Sequence, residues 1–315
     1  SILPKKTSQE VRTELNELIG MNEEDGVKDQ AWNLVLSVLA DREKKNRGEK
    51  TEKKSLNTIL TGNPGTGKTT VSEIMAKLMH ALDLAGGRYV KISRENLVAG
   101  YLGQTEEKVV SLIENADFIF IDEAYNLVAD DTDKRDFGHR VIDALMNALE
   151  DKRKDLVVFF AGYPEEMEKF LDSNPGLRSR IACNWHMPDY TMEELGLILD
   201  QMLEKKGCKI EPDARALFLR ELEKAKALIG ERKFGNARDV RNLAEKLPDK
   251  INHRLTKGIR DEEAAKEALA RCSTEQLTTV TKEDVEALNI VRTLCPASVL
   301  KSSPAKKDFG FRPPG

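Results

Sequence analysis

Gly62-Asn63-Pro64-Gly65-Thr66-Gly67-Lys68-Thr69-Thr70 is the stretch whose reading decides the fold. It fits the pattern G-x-x-x-x-G-K-[ST] at every fixed position. Leu56 to Thr61, just before it, reads as a short buried strand, and Val71, Ile74, Met75, Leu78 and Met79, just after it, recur at helical spacing. Strand, glycine loop and helix make a grip for a polyphosphate. The glycines let backbone N–H groups turn inward, and the helix N-terminus adds partial positive charge. In such a loop Lys68 reaches the terminal phosphates and Thr69 offers its hydroxyl to Mg²⁺. A glycine-rich turn that contains Lys-Thr-Thr by chance is the competing reading, and the flanking pattern speaks against it.

Working outward, Tyr89 to Ser93 reads as a second strand, followed by a helix marked by Val109, Val110, Leu112 and Ile113. Asp117-Phe118-Ile119-Phe120-Ile121 is an apolar run after one acid, suited to a strand buried on both faces of a parallel sheet, and it ends at Asp122-Glu123. A helix over 138–150 leads to another buried strand, Leu156 to Ala161. The alternation predicts an α/β fold, a parallel sheet flanked by helices, with ligands at the carboxyl ends of the strands. Both the glycine loop and Asp122-Glu123 fall at that edge.

Nearer the N-terminus, Val11, Leu15, Leu18 and Ile19 mark one helix and Ala31 to Ala40 another, before a charged run, Asp41 to Lys54, that reads as a solvated helix end and loop. Beyond Pro188 helical patterns dominate, including Thr191 to Lys205, Asp213 to Leu228 and Ala237 to Leu255. The expected organisation is therefore N-terminal helices over 1–54, an α/β domain over 55–187, a smaller all-helical domain over 188–292, and a disordered tail over 293–315.

The chain has 315 residues, 40% of them hydrophobic and 33% charged, enough for one larger and one smaller domain of helix-rich character. It holds no apolar run long enough to span a membrane, and Ser1 to Glu10 lack the apolar core of a signal peptide. A net charge of −4 argues against a protein whose main task is to neutralise a nucleic-acid backbone. Cys183, Cys208, Cys272 and Cys295 are widely spaced, which fits the cytoplasm or another reducing compartment and suggests neither zinc nor disulfides. The four histidines are likewise isolated.

Phosphoryl transfer to water needs a cradle, a metal, a base and a cation. Asp122, ending a buried strand, is suited to hold Mg²⁺, and Glu123 to polarise the attacking water. Asn174-Pro175-Gly176-Leu177-Arg178-Ser179-Arg180 is turn-rich, and either arginine could project toward a neighbouring subunit's phosphate. Alone, such arginines are more often surface residues.

Together these features resemble the AAA+ ATPases. The closer resemblance is to the CbbX/CfxQ branch, which includes red-type rubisco activases, stage V sporulation-type ATPases and ATPases of type VII secretion. It is carried by the glycine loop from Thr61 to Thr70, Tyr101-Leu102-Gly103-Gln104-Thr105, Phe120-Ile121-Asp122-Glu123-Ala124-Tyr125, Arg135-Asp136-Phe137-Gly138, Ala161-Gly162-Tyr163, Ser173 to Arg180, and Phe234-Gly235-Asn236-Ala237-Arg238.

The resemblance implies ATP as the nucleotide and a ring of six copies that acts on a protein substrate gripped at the pore. It implies the arginine finger at Arg180 with Arg178 as accessory, the sensor-2 arginine at Arg238, and Tyr163 where most relatives outside this branch carry Asn. It further implies that Ile19-Gly20 lines the adenine pocket and that Tyr101, Leu102 and Gly103 form the pore loop. That pore loop and Leu277 to Asp284 look more like the sporulation and secretion relatives than the activases. Asn22 to Lys28 is expanded relative to the corresponding family stretch. The rival expectations are a nucleic-acid loader or helicase and a scaffold switched by ATP with little turnover.

Overall fold

The computed structural model describes residues 1–93, 106–128, 132–151 and 155–297, with the backbone alone at 106–108, 128 and 132–137. The expected pore-loop residues Tyr101, Leu102 and Gly103, and the tail beyond 297, lie outside the described residues. The chain divides into two compact units, Ser1–Asp189 and Tyr190–Gly315.

Among the described residues, the first unit is built on five parallel strands, β1 Thr58–Gly62, β2 Tyr89–Ile92, β3 Phe118–Asp122, β4 Val157–Gly162 and β5 Cys183–Met187, in the order β2-β3-β4-β1-β5. Successive residues of the central strands alternate between two cores. Leu60, Phe118, Phe120, Phe159 and Ala161 join the cluster packed by helices α1 Ser8–Asn16, α2 Val27–Asn46 and α3 Lys68–Ala81. Ile59, Ile119, Ile121, Val158 and Phe160 join the opposite cluster, packed by α4 Glu106–Glu114, α5 Thr132–Glu150 and α6 Pro164–Asp172. Two-sided burial is the physical reason for the uninterrupted apolar runs. It also fixes the register, since a one-residue slip would exchange the two faces.

That register sets the functional edge. Thr61 is level with Gly162, Gly62 with Met187, and Asp122 with Ala161. The carboxyl ends of β1, β3 and β4 thus open into one crevice.

The sequence carries no strand signal for β5. Its residues are Cys-Asn-Trp-His-Met, alternating half-exposed and exposed up to the buried Met187, as an edge strand allows. The charged run after Ala40 is partly helical as well: α2 continues to Asn46, because Lys, Arg and Glu are good helix formers wherever packing does not decide.

In the second unit α8 Met192–Lys205 starts at Thr191, whose hydroxyl accepts from Glu194 N at 3.1 Å. Six further helices follow α9 Pro212–Ile229 among the described residues: α10 Ala237–Ala244, α11 Leu247–Thr256, α12 Glu262–Ala270, α13 Thr274–Thr278, α14 Lys282–Leu288 and α15 Ile290–Leu294. Ala237 to Leu255 is two helices rather than one. Pro248, in the first turn of α11, has no N–H to continue α10, while Val240, Leu243, Leu247 and Ile251 keep one buried stripe through the break. Among its described residues the regular structure of this unit is helical except for a two-residue parallel pair, β6 Lys209–Ile210 with β7 Thr279–Val280. Arg254 Nε donates to the buried Asp284 carboxylate at 2.9 Å, tying α11 to α14.

Candidate active site

Gly62 closes β1, and the loop turns through Gly65 (φ 69°) and Gly67 (φ 95°), left-handed positions that disfavour a side chain. A Cβ on Gly62 would meet Met187 O at 2.7 Å and Thr66 Oγ1 at 2.9 Å. The buried Thr66 hydroxyl donates to Asn63 O at 2.9 Å, and Asn63 Nδ2 donates to Asp189 Oδ1 at 2.9 Å. Helix α3 begins at Lys68, placing the half-buried Thr69 and the exposed Thr70 in its first turn.

Lys68 Nζ donates to the carbonyls of Gly62 and Asn63, each at 2.8 Å, and lies 5.9 Å from the centre of the Tyr163 ring. Tyr163 follows β4 directly and stacks on Tyr125 with ring centres 6.3 Å apart. The ammonium is therefore held where the ends of β1 and β4 meet.

At the end of β3, burial raises the Asp122 carboxyl above its ordinary value, while Lys68 and Lys91 pull it back toward ionisation. Glu123 turns out of the strand at φ 50°, a left-handed backbone rare for a residue with a side chain. Its carboxylate accepts from Asn126 Nδ2 at 3.0 Å. Strained backbone of this kind concentrates at functional sites.

The loop geometry and the lysine fit a polyphosphate. The Thr69 hydroxyl and the Asp122 carboxylate are hard oxygen donors of the kind Mg²⁺ takes, and a divalent cation would offset the burial that raises Asp122.

The two arginines sit apart from this crevice, on and just after the short helix α7 Pro175–Arg178. Arg178 reaches Glu168 Oε2 and Asp172 Oδ1, each at 2.8 Å, and these carboxylates raise its guanidinium further above its ordinary value. Arg180 donates to Gly176 O at 2.7 Å and pairs with Glu150, the last residue of α5. Its own carbonyl accepts from Ser55 Oγ at 3.0 Å and Asn57 Nδ2 at 3.2 Å, and Asn57 Oδ1 accepts from Val158 N at 2.9 Å.

Ile19-Gly20 lies in the turn after α1, with Gly20 at φ 78°. Arg238 is exposed in the first turn of α10, beside Asp239, whose carboxylate accepts from Gly235 N at 2.7 Å while burial raises its pKa.

Sequence reading missed Asn126, Glu150 and Asn57. Asn126 was accessible in principle, three residues beyond Glu123 in a 3₁₀ turn over Ala124–Val128. The other two meet their partners only through tertiary structure.

A strand-loop-helix cradle beside an acidic strand end defines a phosphate-loop nucleoside triphosphatase. Residues 58–183 match the family described as ATPase family associated with various cellular activities (AAA), and residues 191–292 match the AAA lid domain.

Among relatives, the chloroplastic ribulose bisphosphate carboxylase/oxygenase activase of Cyanidioschyzon merolae is 38% identical over 242 residues, 76% of this chain and 80% of that protein. Protein CbxX, plasmid, of Cupriavidus necator is 35% identical over 294 residues, 92% of this chain and 87% of that protein. Stage V sporulation protein K of Bacillus subtilis is 34% identical over 241 residues, 76% and 73% of the two chains. A solved structure described as the structural basis for katanin self-assembly shares the fold, with a TM-score of 0.57 at 20% identity over 94% of this chain and 91% of that one. The chain belongs to the AAA ATPase family, among the CbbX/CfxQ proteins, and is an ATPase.

Proposed function

We propose that the protein is a Mg²⁺-dependent ATPase that assembles as a ring, a hexamer, and uses ATP hydrolysis to pull on or remodel a protein substrate in a reducing compartment. The observation that carries this reading is the gathering of Gly62, Asp122 and Gly162, the last residues of β1, β3 and β4, at one edge of the parallel sheet, with Lys68 held between strand ends, while Arg180 stands apart on a turn. Lys68 and the loop from Gly62 through Thr70, by the backbone N–H groups of its residues other than Pro64, hold the triphosphate. Thr69 and Asp122 hold Mg²⁺, which when bound spreads the charge on the transferring phosphoryl group. Glu123, steadied by Asn126, orients a water and accepts its proton at a carboxylate oxygen as the water oxygen attacks the γ-phosphorus and ADP leaves.

Arg180 exchanges Glu150 for the γ-phosphate on an adjacent copy, with Arg178 as accessory. Tyr163 reports on the γ-phosphate from beside Lys68, Arg238 serves as the lid's sensor, and Ile19-Gly20 meets the adenine. Tyr101, Leu102 and Gly103 form the pore loop; an aromatic among glycines grips a polypeptide through backbone and any passing side chain. A protein substrate rather than nucleic acid is favoured by the acidic balance and by the relative named as an activase. The test is the specific ATPase rate against protein concentration, which rises steeply as copies assemble. A rate per chain that stays flat on dilution to monomers overturns the shared site.

A further inference from the structure

The stretch Asn22 to Lys28 contains a side chain in an electrostatically awkward place. Lys28 is the second residue of α2, where a cation meets the positive end of the helix. Its ammonium turns back instead, donating to Leu18 O at 2.6 Å, Asn22 Oδ1 at 3.0 Å and Asn16 O at 3.4 Å. Asn16 ends α1, so Lys28 satisfies carbonyls that a helix C-terminus leaves without an intrahelical donor.

The turn it ties down is conformationally costly. Gly20, Met21 and Asp25 have φ of 78°, 61° and 61°, and Met21 is also pinned in the core. The orientation of α1 gives this turn its direction. Lys5 pairs with Asp83 beyond the C-terminus of α3, and Glu14 accepts at 2.8 Å from Lys77, one turn before the last residue of α3. Helix α1 therefore runs antiparallel to α3, and the turn that follows it is carried toward the Lys68 end.

We propose that Lys28 is the positioning residue of the adenine-reading turn: by holding the carbonyl of Leu18 and the side chain of Asn22, it fixes the backbone of Ile19-Gly20 in the geometry that tells adenine from guanine. The inference rests on Ile19-Gly20 meeting the base, as proposed above. Adenine and guanine present reversed donor and acceptor patterns on their pairing edges, so a backbone turn separates them only while its N–H and C=O groups stay fixed.

The test uses the full chain and calorimetric binding of ATP, GTP and inorganic tripolyphosphate. Lys28→Met keeps the length of the side chain and removes its donors. The expected result is an ATP affinity lowered about tenfold, the size of a lost charge-assisted hydrogen bond. The ATP-over-GTP preference falls accordingly, tripolyphosphate binding is unchanged, and Lys28→Arg recovers part of the preference.

Ile19→Glu separates the two levels of the argument. If it abolishes the ATP-over-GTP preference while Lys28→Met leaves that preference intact, the role given to Lys28 is wrong and the base-contacting turn stands. If Ile19→Glu also leaves the preference intact, the turn does not meet the base and both ideas fall. Loss of tripolyphosphate binding in Lys28→Met marks general damage to the fold and likewise overturns the assignment.

Discussion

The phosphate-loop edge and the arginine turn lie in the same unit, yet they are built on opposite terms. At the first, Lys68 rests on two backbone carbonyls, Asp122 ends a strand buried on both faces, and the glycine loop tolerates no side chain at Gly62. At the second, Arg178 and Arg180 are engaged by the carboxylates of Glu168, Asp172 and Glu150, all on the surface. Surface ion pairs are individually weak and readily exchanged. One region is fixed before any ligand arrives, and the other is free to trade partners at little cost. That difference suits a site whose halves come from two copies.

The largest expected effect tests the fixed region. Lys68→Ala removes the cation at the meeting of β1 and β4, and neither nucleotide binding nor turnover should be measurable by calorimetry or phosphate release. Glu123→Gln should bind ATP at parental affinity and hydrolyse it about 10²–10⁴ times more slowly, as expected for loss of a general base. Hydrolysis at the parental rate would remove Glu123 from that role.

The exchangeable region is probed at protein concentrations where the proposed ring forms. Arg180→Ala should slow phosphate release about 10³-fold, the range for a lost arginine finger, whereas Arg178→Ala should cost about tenfold or less. Equal losses would mean that the two arginines act as one cluster and that the preference for Arg180 is mistaken.

The smallest effect is on stability. Burial raises the Asp122 carboxyl above its ordinary value, so ionised Asp122 costs the folded state stability, a loss that sets in as pH rises from the ordinary value through the raised one and persists at neutral pH. Asp122→Asn removes that cost. It should raise the melting temperature of the unliganded chain at pH 7 by a few degrees, at about 2–4 °C per kcal/mol for a domain of this size, while abolishing the gain in ATP affinity on adding Mg²⁺. A melting temperature that falls instead would mean that the carboxylate stabilises the loop.

Much of the fixed region was legible in the sequence because local rules govern it. The glycines, the lysine and the apolar runs of β1, β3 and β4 each follow from backbone conformation or two-sided burial, and their order implies the sheet. Strand β5 was not legible: an edge strand of Cys, Asn, Trp, His and Met has no continuous apolar signal. Nor were the partners of the arginine turn, since Glu150 and Asn57 meet Arg180 across 30 and 123 residues of chain. The break in the lid between α10 and α11 escaped because its buried stripe runs on through it.

Asn57 has a further consequence. It stands just before β1, holding the carbonyl of Arg180, and the same strand ends four residues beyond Thr58 in Gly62, the first residue of the phosphate loop. A single short strand, hydrogen-bonded on both sides, therefore has the arginine turn tied at its head and the phosphate loop at its tail. In the proposed ring those elements serve different nucleotides, so β1 acts as a rigid ruler between successive sites. In such a ring a shift at one site would be carried to the next through the length of one strand.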